Sequence, residues 1–258
     1  TMRTVIQYSL YPAVMATSVV SAYVMLYVHQ LPLYSIMAPL TAAFVVVGVM
    51  ERLMPYRRKW NTPQEDLVTD VTYIGINLAL REAANVGFKL GLIAVLASIG
   101  FNNTSFNIWP TEWHPLAQLV LALLALDFFE YWFHRSSHKF GFLWRFHAIH
   151  HSPKRLYFFN AARFHFIDWL ALAAIDVIVI MALGADVTLV ALAVVFIQTH
   201  GLFQHGNVDV KLGFLNYLLS GPELHRWHHS KLIEESDTNF GNNVIVWDLL
   251  FGTWFLPK

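Results

Sequence analysis

The stretch LAQLVLALLALDFFEYWFHRSSH, running from Leu116 to His138, decides the fold. From Leu116 to Phe133 it is almost wholly apolar, close to the roughly 20 residues that a helix needs to cross about 30 Å of hydrocarbon. It ends on His134 and His138, which four-residue spacing places one turn apart on a single helical face. A membrane helix whose end delivers imidazoles is both a span and part of a metal site.

The same pairing recurs further along. His147, His150 and His151 form H-x2-H-H, His200 and His205 form H-x4-H, and His225, His228 and His229 form a second H-x2-H-H. Ten of the thirteen histidines fall into these four groups. The chain has no cysteine, which removes thiolate ligands, iron-sulfur clusters and disulfides and leaves histidine to carry any metal chemistry. Imidazole suits zinc, copper, iron and nickel. Four to six ligands satisfy any one of these ions, so ten imidazoles point to two adjacent metals. Five residues do not return to one helical face, so His200 and His205 share a metal only if the helix ends or bends between them, as Gly201 allows.

Composition sets the environment. The 258 residues are 56% hydrophobic and 13% charged, with zero formal net charge and a mean hydropathy of +0.47. That balance is expected of a membrane protein and gives no electrostatic case for nucleic acid. Apolar runs are read from Tyr8 to His29, Leu33 to Met50, Val68 to Gly100, Leu116 to Phe133, Ile167 to Leu183 and Val187 to Phe203. The first is too long for a signal-peptide core and is read as a retained span. The third is long enough to bend, and its Arg81, Glu82 and Lys89 suit a buried or cavity-lining face rather than lipid. Gly184, Ala185 and Asp186 read as a tight turn between two helices.

Lys and Arg gather between Arg52 and Lys59, between Arg135 and Arg163, and after Lys211, whereas the loops around Leu31, Phe101 to His114 and Gly184 have none. The positive-inside rule then places both termini and every histidine group on the cytoplasmic side. The expectation is a single domain over 1–258. It is all-α, an integral multi-pass membrane bundle with about four to six embedded helices and a cytoplasmic histidine-rich catalytic cap, in a bacterial inner membrane or the endoplasmic reticulum. Trp132, Trp144, Phe158, Phe159 and Trp169 read as an interfacial belt or the lining of an acyl tunnel.

A ligating imidazole usually donates its other ring N–H to a carboxylate or carbonyl, which fixes its tautomer. Asp127 and Glu130, two turns and one turn before His134, are candidate acceptors, as are Glu223, Asp237 and Asn239. His165 is read as structural or as a hydrogen-bonding neighbour of the metals, with ligation or substrate contact as the alternative. His29 and His114 read as interfacial residues.

The boxes His134-Arg-Ser-Ser-His138, His147-Ala-Ile-His-His151 and His225-Arg-Trp-His-His229, with the lead-in Asp127-Phe-Phe-Glu-Tyr-Trp-Phe, resemble those of the fatty acid hydroxylase and sterol desaturase superfamily. The stretches Leu143 to Ser152 and Asn239 to Trp254 are most similar to its alkylglycerol monooxygenase branch and bacterial relatives. The resemblance covers about 117–256. It implies a membrane di-iron monooxygenase with O2 as co-substrate, hydroxylating or alternatively desaturating a lipid substrate such as a fatty acyl, sterol or ether lipid. The two irons would be held by His134, His138, His147, His150, His151, His225, His228 and His229. His200 and His205 resemble an additional pair found before the last box. Zinc is a possible substitute in purified protein. Electrons would come from a separate donor protein or reductant, whether ferredoxin, cytochrome b5 or pterin. Two other classes compete. A zinc hydrolase lacks its H-E-x-x-H pattern here, and a metal transporter would line a transmembrane path with ligands rather than gather them at one side.

Overall fold

The computed structural model describes residues 1–100 and 108–257, the side chains of 78–86, 88, 89 and 181 excepted. Arg81, Glu82, Lys89, Lys258 and the first half of the 101–114 loop therefore lie outside the described residues. Among the described residues, four helices are long and apolar enough to cross a membrane. They are α1 (Met2–Tyr23, running on as a π-helical turn to Val28), α2 (Met37–Leu53, preceded by a 3-10 turn from Leu33), α4 (Pro115–Lys139) and α7 (Val187–His205). Between them lie α3 (Leu67–Ser98), α5 (Gly141–His151) and α6 (Phe166–Leu183). After α7 the chain turns irregular, with the short helices α8 (Pro222–His228), α9 (Ile233–Ser236) and α10 (Val246–Phe251). No strand occurs among the described residues beyond two isolated bridges, Pro55 with Val208 and Leu219 with Val244.

Local chemistry sets the boundaries. Pro115 opens α4, where its missing N–H costs nothing. Asp186 caps α7 by accepting from the N–H groups of Thr188 and Leu189 at 2.6 and 3.1 Å. Gly184 ends α6 in the left-handed conformation at φ 76°, so the expected tight turn is a glycine cap followed by an aspartate cap. α3 is long enough to break, yet it is continuous over 32 residues.

α7 is the central post. On one side Leu189, Leu192 and Val195 pack with Ala22, Leu26, Leu119 and Leu123 of α1 and α4. Nearer its C-terminal end Phe203 packs with Tyr11, Met15, Val47 and Val208. The C-terminal segment is tied back by two buried carboxylates. Asp127 accepts from the Asn243 N–H and side-chain amide at 2.7 Å each and from the Val244 N–H. Asp248 accepts from the N–H groups of Phe240 and Gly241 at 2.8 and 2.7 Å and from the Thr253 hydroxyl at 2.6 Å. These bonds fold the last twenty residues against α4, under the histidines.

Candidate metal centre

Nine histidines converge in two groups. His134, His138, His147, His151 and His228 form the first, and His150, His205, His225 and His229 the second, the nearest ring nitrogens within each lying within 4.8 Å of one another. The neighbouring pairs His150–His151 and His228–His229 are divided between the groups. Successive side chains diverge by about 100° around a helix, so each histidine doublet feeds two sites from one stretch of backbone. α4 ends at Lys139 and α5 begins at Gly141, so Phe140 alone turns the first box onto the second.

The ring nitrogens are sorted by role. Nδ1 of His134 donates to the Phe240 carbonyl at 2.7 Å, that of His228 to the Thr238 carbonyl at 2.8 Å, and that of His150 to the Arg163 carbonyl at 3.3 Å. Nδ1 of His147 donates to Asp168 at 3.0 Å, that of His138 to Asp237 at 3.3 Å, and that of His205 to the Asn160 side-chain oxygen at 2.9 Å. Carbonyls and carboxylates only accept, so the proton sits on Nδ1 and the Nε2 lone pair faces inward. Within the groups the Nε2 separations are 3.2 Å for His138 to His151 and for His147 to His151, 2.9 Å for His225 to His205, and 3.1 Å for His229 to His225. Lone pairs do not attract one another at that distance. Metal–nitrogen bonds of about 2.1 Å at right angles, however, set cis nitrogens about 3 Å apart. Nε2 of His134 and of His228 are buried without a hydrogen-bond partner among the described residues. The donor set therefore fits two cations held by neutral imidazole. Burial, and then the neighbouring imidazoles, hold His150, His151, His225, His228 and His229 well below the ordinary histidine pKa, which keeps them unprotonated and able to ligate.

His200 departs from the expected ligand pair. α7 continues unbroken through Gly201 to His205, so five-residue spacing turns His200 away from the centre. Its Nδ1 takes the Tyr11 hydroxyl at 2.6 Å and its Nε2 donates to the Ser220 carbonyl at 2.9 Å. Both nitrogens are occupied, and His200 joins neither group. His165 also stands outside them, capping α6 through Nδ1 to the Ile167 N–H at 3.1 Å.

Of the other expected acceptors only Asp237 meets an imidazole. Asp127 anchors the tail, as described. Glu223 accepts from the Leu212 N–H and the Asn216 amide. Asn239, at φ 55°, joins the Leu224 and Phe255 carbonyls. Glu130 accepts from Asn242 at 2.9 Å. Asp168 and Asn160, which do orient imidazoles, carry no such sign in the sequence, because they lie 21 and 45 residues from the rings they hold.

A cavity of about 490 Å³ opens on both groups, touching His134, His147, His150, His205 and His225. Its aromatic lining includes Phe133, Phe158, Phe159, Phe164 and Trp169, so three of the residues expected in a belt or tunnel line this chamber. Trp132 and Trp144 are exposed instead.

Fold and site together define a membrane-embedded helical protein with a twin imidazole cage at the head of an apolar chamber. The sequence profile of the fatty acid hydroxylase family matches residues 119–253, and the chain belongs to that family. The ornithine lipid hydroxylase OlsE of Rhizobium tropici is 37% identical over 214 residues, 82% of this chain and 64% of the relative. Human alkylglycerol monooxygenase is 29% identical over 221 residues, 83% of this chain and 46% of the relative. The very-long-chain aldehyde decarbonylase GL1-10 of Oryza sativa subsp. japonica is 27% identical over 147 residues, 56% of this chain and 48% of the relative. The chain thus spans less than two thirds of the length of each. No solved structure matches it.

Proposed function

We propose that this protein is an O2-dependent lipid hydroxylase that holds one iron ion in each of its two histidine groups. The observation that carries the reading is the convergence of nine imidazoles, six of them anchored through Nδ1, on a chamber within a membrane bundle. When bound, iron in such a nitrogen-rich pair supplies the activation of O2 needed to attack an unactivated C–H bond. The balance is one C–H bond replaced by C–O–H and one oxygen atom released as water. Two electrons and two protons are consumed, delivered by a separate one-electron carrier protein or a soluble reductant. Desaturation, the loss of two hydrogens from the same lipid with O2 reduced to water, is the alternative outcome.

The chain's own residues do the positioning. Asp168, Asp237, Asn160 and the three carbonyls fix imidazole tautomer and direction. Phe133, Phe164 and Trp169 exclude water from the chamber. Glu130 lines the same chamber in hydrogen-bond contact with Asp176, and no Lys or Arg lines it among the described residues. A hydrogen bond between two carboxyl groups requires a proton on one of them, so the pair presents a single negative charge to the chamber. Together with the similarity to an ornithine lipid hydroxylase, this supports a lipid whose reacting part carries an amine. The clustering of Arg57, Arg58, Lys139 and Lys154 near the histidine end supports a cytoplasmic site in a bacterial inner membrane.

The test is incubation of iron-loaded protein in lipid nanodiscs with an ornithine lipid, a chemical reductant and 18O2, read by mass spectrometry. One 18O atom in the product supports hydroxylation. Product formed without O2 refutes the reading.

A further inference from the structure

On the outer face of α2 lies an apolar groove of about 370 Å³, lined by Val45, Gly48, Val49 and Leu53 together with Phe44, Phe158 and Phe159. Arg52 is the one charged lining residue among those described and sits at the C-terminal end of the helix. Val45, Val49 and Leu53 are 54%, 49% and 70% exposed on a helix fit to span the membrane, so the groove faces acyl chains. Phe44, Phe158 and Phe159 also line the chamber at the histidine groups, so these three rings form the partition between bilayer and metal centre.

The partition is built to open by side-chain rotation. The backbone at Phe158 is pinned, its N–H donating to the buried Glu51 carboxylate at 2.8 Å, and the following turn is tied through Asn160 to His205. The rings meet one another, Phe44 to Phe158 at 5.0 Å edge-on and Phe158 to Phe159 at 4.3 Å, across the notch of Gly48, with Phe159 also beside the Tyr157 ring at 6.0 Å and Phe158 flanking the core around Val47 and Phe203. A Cβ at Gly48 would lie 3.4 Å from the tip of the Phe158 ring, so only glycine leaves that notch clear.

We propose that this groove is a lateral doorway in which the acyl chain of a bilayer lipid lies while the lipid's reacting part passes the three phenylalanines into the chamber. The assignment rests on the lipid hydroxylase reading for its purpose, but not for its test. The chamber is too small for a whole two-chain lipid, and the groove supplies the missing apolar length in direct continuity with it.

The test uses full-length protein in nanodiscs containing a phosphatidylethanolamine with a diazirine on its acyl chain. After irradiation, peptide mapping is expected to find adducts at 44–49 and 158–159. Gly48→Trp fills the notch and is expected to abolish the adducts at 158–159, whereas Val46→Trp, on the same helix but outside the groove, leaves them. Phe158→Ala removes part of the partition and is expected to carry adducts inward to Ala162 and Trp169. With hydroxylation as readout, Gly48→Trp lowers kcat/KM by about tenfold or more at unchanged metal content. Adducts that ignore both Gly48→Trp and Phe158→Ala overturn the doorway. Adducts that respond as expected in a protein that never hydroxylates retain the doorway and overturn the oxygenase.

Discussion

His151 of the first histidine group and His229 of the second stack face to face, their ring centroids 4.3 Å apart and their planes within 20° of parallel. The two groups thus share a wall of imidazole, and whatever occupies one is felt in the other. Metals in such neighbouring sites are expected to be magnetically coupled and to load together rather than independently.

Asp168 holds His147 from outside the cage. Asp168→Asn exchanges a charge-assisted acceptor for a neutral amide, and loss of such an outer hydrogen bond weakens metal binding by about 10- to 100-fold. Chelator competition on the purified variant measures this, and an unchanged affinity would show that the bond is incidental.

Asn160 offers a contrast, because it orients His205 in the second group and touches none of the first. Asn160→Ala is expected to release metal preferentially from one site, so that titration with chelator becomes clearly biphasic. A single phase with both metals equally weakened would contradict the division into two groups.

His200 separates ligation from support. Replacing it by Phe is expected to leave metal stoichiometry intact. It strands the Tyr11 hydroxyl and frees the Ser220 carbonyl, which Gln204 still joins at 2.7 Å. The expected cost is about 1–3 kcal/mol of stability, the range for an orphaned buried polar group. His205→Phe should lose metal. If both variants lose metal alike, His200 is a ligand after all.

Asp127 is a clamp on the tail rather than a partner of His134. Asp127→Ala orphans three donors at once and is expected to destabilise the segment after Asn239 by about 3 kcal/mol or more. Limited proteolysis should then cut between 239 and 250, where the parent chain resists.

The boxes were legible because local spacing carries them: a histidine three or four residues after another shares its helical face wherever the helix goes. The same rule sets His200 apart, because five residues do not return to one face unless the helix breaks, and α7 runs unbroken to His205; only the resemblance joined the two as a pair. The outer acceptors were mostly illegible. The carbonyls of Phe240, Thr238 and Arg163 have no sequence signature, since every residue has a carbonyl and only tertiary placement selects these. The carboxylates before the first box looked placed to serve it, yet a helix points residues one and two turns back along its own face toward the tail packed there. Of the six apolar runs read from hydropathy, four correspond to α1, α2, α4 and α7, which are apolar enough to span, while the other two, α3 and α6, mix apolar length with Asp70, Asp168 and Asp176, which belong to the chamber and its supports.

The central claim is tested most directly by metal content per chain on protein from iron-replete cells, with Mössbauer spectroscopy on 57Fe-enriched material. The account predicts two irons per chain, coupled and in nitrogen-rich surroundings. Stoichiometric zinc that iron does not displace, with no O2 uptake on adding reductant and lipid, would contradict it.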